Sequence, residues 1–153
     1  MNLIFRPDAA WLEVLLRLVA LAQLAVAVLN FFLWRMMGWR RDLAEMDLLV
    51  RQVVVIHGWF ISLTLLIWAG LTWRFCREMA CAPTELSRWL CAAIALFWGV
   101  RCAMQWLHYD RSHWRGNAVR TAIHWLLFAV YGGWSAVYAL AATGRVKSER
   151  NDR

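Results

Sequence analysis

Four long apolar stretches dominate the pattern of hydrophobic and polar positions along the chain. The clearest of them, residues 53–73, contains no Asp, Glu, Lys or Arg, and His57 is its one ionisable side chain. A helix rises 1.5 Å per residue, so this stretch extends about 30 Å, the thickness of the hydrocarbon core of a bilayer. The pattern predicts helices over residues 9–34, 42–75 (with a membrane part at 53–73), 89–109 and 119–142.

These stretches predict an all-α integral membrane protein, a four-transmembrane-helix bundle formed by residues 1–142. The chain is 62% hydrophobic, well above the roughly 45–50% of soluble domains. The sequence does not open with the pattern of a cleaved signal peptide, which is a charged segment, a short apolar run and a small-residue cleavage site. We therefore expect the first helix to be retained. Residues 143–153 are charged and lack apolar periodicity, which predicts a disordered tail.

Capping and helix-breaking residues suggest where the helices begin and end. Asp42 and Glu45 have the spacing of a capping box, which predicts the start of the second helix near Asp42. Pro83 interrupts the next polar segment, and Thr84 or Ser87 is expected to cap the third helix.

The charge distribution favours a membrane surface over a nucleic acid. The net charge is +7, and the basic residues lie mostly beside the apolar stretches, where they suit anionic lipid head groups. We therefore expect the lipid bilayer, copies of the chain or other membrane subunits as partners, and no nucleic acid. The basic residues divide almost evenly between the two predicted faces, so the positive-inside rule leaves the orientation open. We expect a multi-pass protein of the cell membrane, specifically of a bacterial inner membrane, with both termini in the cytoplasm.

Tryptophan and cysteine positions favour packing roles. Most of the twelve tryptophans lie near predicted helix ends, as in the aromatic belts of membrane proteins. Trp68, Trp98 and Trp134 lie deeper and are expected to pack within the bundle or against lipid. The four cysteines contain no C-x-x-C pair, so we expect free buried thiols; a disulfide near residues 76–91 is the alternative.

The histidines provide the strongest functional signal. The up-and-down topology places all four on the side where the second and fourth helices start. His57 and His124 each lie near the beginning of an apolar stretch and therefore at similar depth. His108 ends the third helix, and His113 lies in the loop that follows.

A second signal is Arg101 within the apolar part of the third helix. A charged group at that depth should face the bundle interior, a partner or a cavity. Arg101, Gln105 and His108 are spaced to share one helix face, and Tyr131 lies in the neighbouring helix. Because a guanidinium group binds phosphate or carboxylate bidentately, these four residues predict a site for the polar head of a lipid, a quinone or another amphiphile.

The paired histidines support a redox alternative. His57 and His124 could be the axial ligands of a b-type haem, with Arg51 and Arg120 near its propionates or near lipid head groups. A variant of this hypothesis adds His108 and His113 as ligands of a metal ion.

The leading hypothesis is a subunit or accessory factor of a membrane complex, or an amphiphile-binding bundle. A redox protein that binds haem b or a quinone is the alternative. A membrane enzyme that acts on a lipid-like substrate, with histidine as acid or base, is the second alternative. The sequence does not decide whether the protein is an enzyme.

Overall fold

The computed structural model describes residues 9–36, 40–108 and 118–143, apart from the side chains at 33–36, 40–42 and 120. Helices account for almost all of these residues, and no strand occurs among them. The five helices are α1 (Ala10–Met36), α2 (Arg40–Glu45), α3 (Leu48–Cys81), α4 (Glu85–Leu107) and α5 (Ala118–Thr143).

Four of the five helices are long and apolar enough to cross a membrane. The prediction of four such helices is confirmed. Their apolar segments cover Ala10–Phe32, Leu48–Cys81, Glu85–Leu107 and Thr121–Thr143. The remaining helix, α2, is a short polar element between α1 and α3.

Helix α3 begins at Leu48, six residues after the predicted start near Asp42. The Leu49 N–H donates to the Asp47 Oδ1 at 2.9 Å, and the Arg51 N–H donates to the Asp47 backbone oxygen at 3.0 Å. Asp47 therefore caps α3, because its short carboxylate satisfies an amide of the first turn. Asp42 belongs instead to the short helix α2.

Helix α3 also continues to Cys81, beyond the predicted end at Phe75. Cys76, Met79 and Ala80 recur at helical spacing and are buried, so this extra segment packs one face inward. Pro83 then prevents further helix, because the residue before a proline is disfavoured in the helical conformation.

A compact turn connects α3 to α4. Thr84 is the N-cap of α4, and its Oγ1 accepts from the Ser87 N–H at 3.2 Å. The same hydroxyl donates to the Glu78 Oε1 at 2.6 Å and so ties the turn to the end of α3. Of the two predicted caps, Thr84 is the one used.

The chain divides into two compact units. The first, called here the α4/α5 unit, contains the described residues 9–16, 77–108 and 118–143. The second, the α1/α3 unit, contains the described residues within Arg17–Cys76. All four cysteines are free thiols; Cys76, Cys81 and Cys91 are buried, as expected, whereas Cys102 is half-buried.

In the α4/α5 unit, α4 and α5 pack as an antiparallel pair. The Arg88 Nε donates to the Ala142 backbone oxygen at 3.0 Å near one end of the pair. The Ser135 hydroxyl donates to the Ala95 oxygen at 2.8 Å further along. Gly99 allows close approach, since a Cβ there would lie 3.2 Å from the Ser135 Oγ.

In the α1/α3 unit, two ring contacts give an antiparallel arrangement of α1 and α3. The Phe31 and Trp59 rings lie 6.4 Å apart, and the Arg17 Cζ lies 5.5 Å from the Trp73 ring centroid. The earlier residue on α1, Arg17, contacts the later residue on α3, Trp73, whereas Phe31 contacts the earlier residue, Trp59. The helices therefore run in opposite directions.

Candidate functional site

Helices α4 and α5 bring four of the predicted site residues together. Arg101 and Gln105 are one turn apart on α4, so their side chains are neighbours on the helix surface. His124 and Tyr131 are seven residues apart on α5 and share the face that meets α4. Antiparallel packing places Gln105 opposite His124 and Arg101 opposite Tyr131.

Arg101, Gln105 and His124 form a continuous hydrogen-bonded group, called here the polar triad. The Arg101 Nη1 donates to the Gln105 Oε1 at 3.0 Å. The Gln105 Nε2 lies 3.0 Å from the His124 Nδ1. Gln105 is only 3% exposed and His124 only 6%, whereas Arg101 is half-buried. The triad thus connects a guanidinium group at the edge of the pair to a buried imidazole.

The triad selects one tautomer of His124. A guanidinium group can only donate, so the Gln105 oxygen must face Arg101 and its amide nitrogen must face His124. The amide nitrogen also donates, which requires a lone pair on the His124 Nδ1. The imidazole proton therefore resides on Nε2. This tautomer leaves no lone pair on Nε2 for a metal ion, whereas metal-binding histidines usually donate from the nitrogen that does not bind the metal.

An aromatic cluster lies beside the triad. The Arg101 Cζ is 4.8 Å from the centroid of the Tyr131 ring, a cation–π distance. The other end of the cluster is Trp98, whose ring stacks on Tyr131 at 5.3 Å and meets Trp134 edge-on at 4.5 Å. Gln105 and Tyr131 together fix the position of the guanidinium group.

Trp98 carries a buried donor that lacks an acceptor. The residue is 2% exposed, and its Nε1–H has no hydrogen-bond partner within the described part of the chain. Burying an N–H donor without an acceptor in apolar surroundings costs free energy. The position of Trp98 in the sequence predicts a packing role only. Its spacing of three and seven residues from Arg101 and Gln105 is the signal that places it on their face of α4.

Other predicted site residues lie outside this cluster. His108 caps the C-terminal end of α4, and its side chain is exposed. His57 is also exposed, on α3 in the other unit, where Arg51 is half-buried. The Arg120 side chain and all of His113 lie outside the described residues. The described residues contain no group of three or more His, Cys, Asp or Glu that could hold a metal ion.

The chain has no significant match among protein-family models, curated proteins or solved structures.

Proposed function

We propose that the chain is a small integral membrane protein with four spanning helices that binds an amphiphile with an anionic head group. The four apolar helices support membrane insertion. Their exposed faces are rich in large apolar side chains, which suit contact with lipid. Examples more than half exposed are Val14, Leu18, Ile56, Trp59, Phe60, Leu86, Leu96 and Leu126.

The observation that carries the proposal is the fixed Arg101 guanidinium group. Arg101 lies in the apolar part of α4, hydrogen-bonded to Gln105 and held over the Tyr131 ring. A guanidinium group with a fixed orientation loses less side-chain entropy when it binds carboxylate or phosphate. Since Arg101 is half-buried, a head group can reach it from the side of the helix pair.

The surroundings of Arg101 are rich in donors. The Trp98 Nε1–H, one turn from Arg101 on α4, is buried without an acceptor in the described residues. Helix α5 contains no Asp or Glu, and the only acidic residue in α4 is Glu85 in its first turn. A ligand that brings acceptor oxygens would complement this arrangement better than a cation would.

We assign the site a binding role within a subunit or accessory factor of a membrane complex. A catalytic role for His124 draws less support, because its Nδ1 lone pair is occupied by Gln105. Haem ligation by His124 is also less well supported. Its Nε2 carries the proton in this tautomer, and that proton must be lost or moved before Nε2 can bind iron.

The test is equilibrium binding of two amphiphiles with the same alkyl chain, a fatty acid and the corresponding fatty alcohol, to protein in nanodiscs. Arg101→Gln removes the charge at the site. Arg74→Gln removes a charge that also lies near an aromatic ring, 5.2 Å from Phe75, but on α3. We expect the wild type and Arg74→Gln to prefer the fatty acid about tenfold and Arg101→Gln to lose that preference. Equal affinity of the wild type for the two amphiphiles would overturn the proposal.

A further inference from the structure

A second feature, remote in sequence from the polar triad, is an apolar groove of about 290 Å³ in the α1/α3 unit. It lies between two antiparallel helices, and none of the described residues that line it is charged. The lining includes Ala20, Leu21 and Leu24 from α1, and Ala69, Gly70 and Trp73 from α3.

Small residues create this groove. Ala69 and Gly70 on α3 and Ala20 on α1 line it, where larger side chains would fill the space. A Cβ added at Gly70 would meet no atom within 4 Å, so the space beside this residue is open. Leu21 and Leu24 are 48% and 43% exposed, so the groove opens towards the surroundings of the helices.

One end of the groove carries the guanidinium group of Arg17, one turn along α1 from Glu13. Arg17 lies one turn before Leu21 on α1, and Trp73 lies one turn after Ala69 on α3. The two side chains meet at this end, where the Arg17 Cζ is 5.5 Å from the Trp73 ring centroid. The groove therefore matches the two parts of an anionic lipid. Its apolar walls suit the hydrocarbon chain, and the guanidinium group and indole ring at its end suit the anionic head.

We propose that the groove binds one acyl chain of an anionic phospholipid whose phosphate contacts Arg17. Its volume is at the lower end of the roughly 300–1,000 Å³ of small-molecule pockets. It therefore suits a single flexible chain better than a macrocycle. Arginine binds phosphate through two parallel hydrogen bonds, which gives the site a preference for anionic over zwitterionic lipids. This site is separate from the one proposed at Arg101.

The experiment is native mass spectrometry of the detergent-purified protein, titrated with phosphatidylglycerol or phosphatidylcholine of identical chains. Gly70→Leu fills the groove. Gly133→Leu is its matched control, because a Cβ at Gly133 also meets no atom within 4 Å but lies on α5. Arg17→Gln removes the charge, Arg17→Lys keeps it, and Arg74→Gln removes an arginine outside the groove. Circular dichroism and gel filtration verify that each variant is folded.

We expect protein that carries Arg101→Gln, and therefore lacks the first site, to retain one phosphatidylglycerol at about tenfold higher affinity than phosphatidylcholine. Gly70→Leu should lower retention of both lipids about tenfold, while Gly133→Leu should not. Arg17→Gln should abolish only the preference between the lipids, and Arg17→Lys should restore part of it. Unchanged retention in Gly70→Leu, or the same loss in Gly133→Leu, would overturn the groove assignment. A preference that survives Arg17→Gln would overturn the assignment of the phosphate. Each of these variants is made in the Arg101→Gln background, which removes the first site and confines the comparison to the groove.

Discussion

The amide nitrogen of Gln105 lies 3.0 Å from the Nδ1 of His124, across the interface between α4 and α5. The amide oxygen of the same residue accepts from Arg101 at 3.0 Å. One buried side chain thus satisfies a donor on its own helix and an acceptor on the neighbouring helix. Gln105 determines both the orientation of the Arg101 guanidinium group and the tautomer of His124.

Gln105→Leu should destabilise the α4/α5 pair. The substitution removes the acceptor for Arg101 and the donor for His124 while keeping similar volume, so two polar groups lose a partner in apolar surroundings. We expect the free energy of unfolding to fall by about 1–2 kcal/mol, because interhelical hydrogen bonds in membranes are worth around 0.6–2 kcal/mol each. Unfolding in SDS titrations measures it. Met104→Leu, at an exposed neighbouring position, is the control. Equal stability of the two variants would contradict the role given to Gln105.

The tautomer of His124 is directly observable. With ¹⁵N-labelled histidine, the two ring nitrogens of His124 should show the proton on Nε2 and a lone pair on Nδ1. In Gln105→Leu the donor to Nδ1 is absent, so we expect a mixture of tautomers. His124→Gln identifies the signal. A proton found on Nδ1 in the wild type would refute the geometry derived for the triad.

The two glycines Gly99 and Gly133 should respond differently to alanine. Alanine favours a helix by up to about 1 kcal/mol over glycine. At Gly133 nothing opposes this gain, so Gly133→Ala should stabilise the protein. At Gly99 the new Cβ would lie 3.2 Å from the Ser135 Oγ, which donates to the Ala95 oxygen.

We therefore expect Gly99→Ala to be less stable than Gly133→Ala by about 1 kcal/mol, because a crowded Ser135 must shift from its acceptor. Adding Ser135→Ala should reduce this deficit. Unfolding of the single and double variants provides the double-mutant cycle. Strict additivity would show that Gly99 and Ser135 do not interact.

The haem hypothesis has a simple spectroscopic test. The Nε2–H tautomer of His124 and the exposed position of His57 lead us to expect no low-spin haem band in protein expressed with adequate haem supply. Ultraviolet–visible spectra before and after dithionite reduction, with metal analysis of the same sample, test this expectation. A Soret band that shifts on reduction and disappears in both His57→Ala and His124→Ala would contradict this expectation and restore the redox alternative.

Much of the architecture follows from the sequence because membrane-length apolar stretches are a strong signal. The ends of helices are harder to predict when two polar residues compete as caps. Asp42 with Glu45 has the recognised spacing, yet Asp47 caps the long helix, since its carboxylate reaches the amide of Leu49. Apolar positions such as Leu43 and Met46 continue at helical spacing through the break, so periodicity did not reveal it.

For the candidate site, the sequence predicted only which residues share a face within each helix. Spacing placed Arg101 and Gln105 on one face of α4, and the seven-residue separation of His124 and Tyr131 places them on one face of α5. Which of these faces meet depends on the rotation of each helix about its axis, and helical spacing alone does not give that rotation. The lack of an acceptor for the Trp98 N–H among the described residues could not be inferred, because the acceptors near an indole depend on tertiary contacts.

The most direct test of the central proposal is photocrosslinking of a fatty acid that carries its photoreactive group beside the carboxylate. Peptide mapping by mass spectrometry locates the adducts in wild-type protein and in Arg101→Gln and Arg74→Gln. We predict adducts concentrated near Trp98–Gln105 on α4 and near His124–Tyr131 on α5, which are lost in Arg101→Gln and kept in Arg74→Gln. Adducts spread evenly over the exposed apolar faces, or an unchanged pattern in Arg101→Gln, would contradict a head-group site at Arg101.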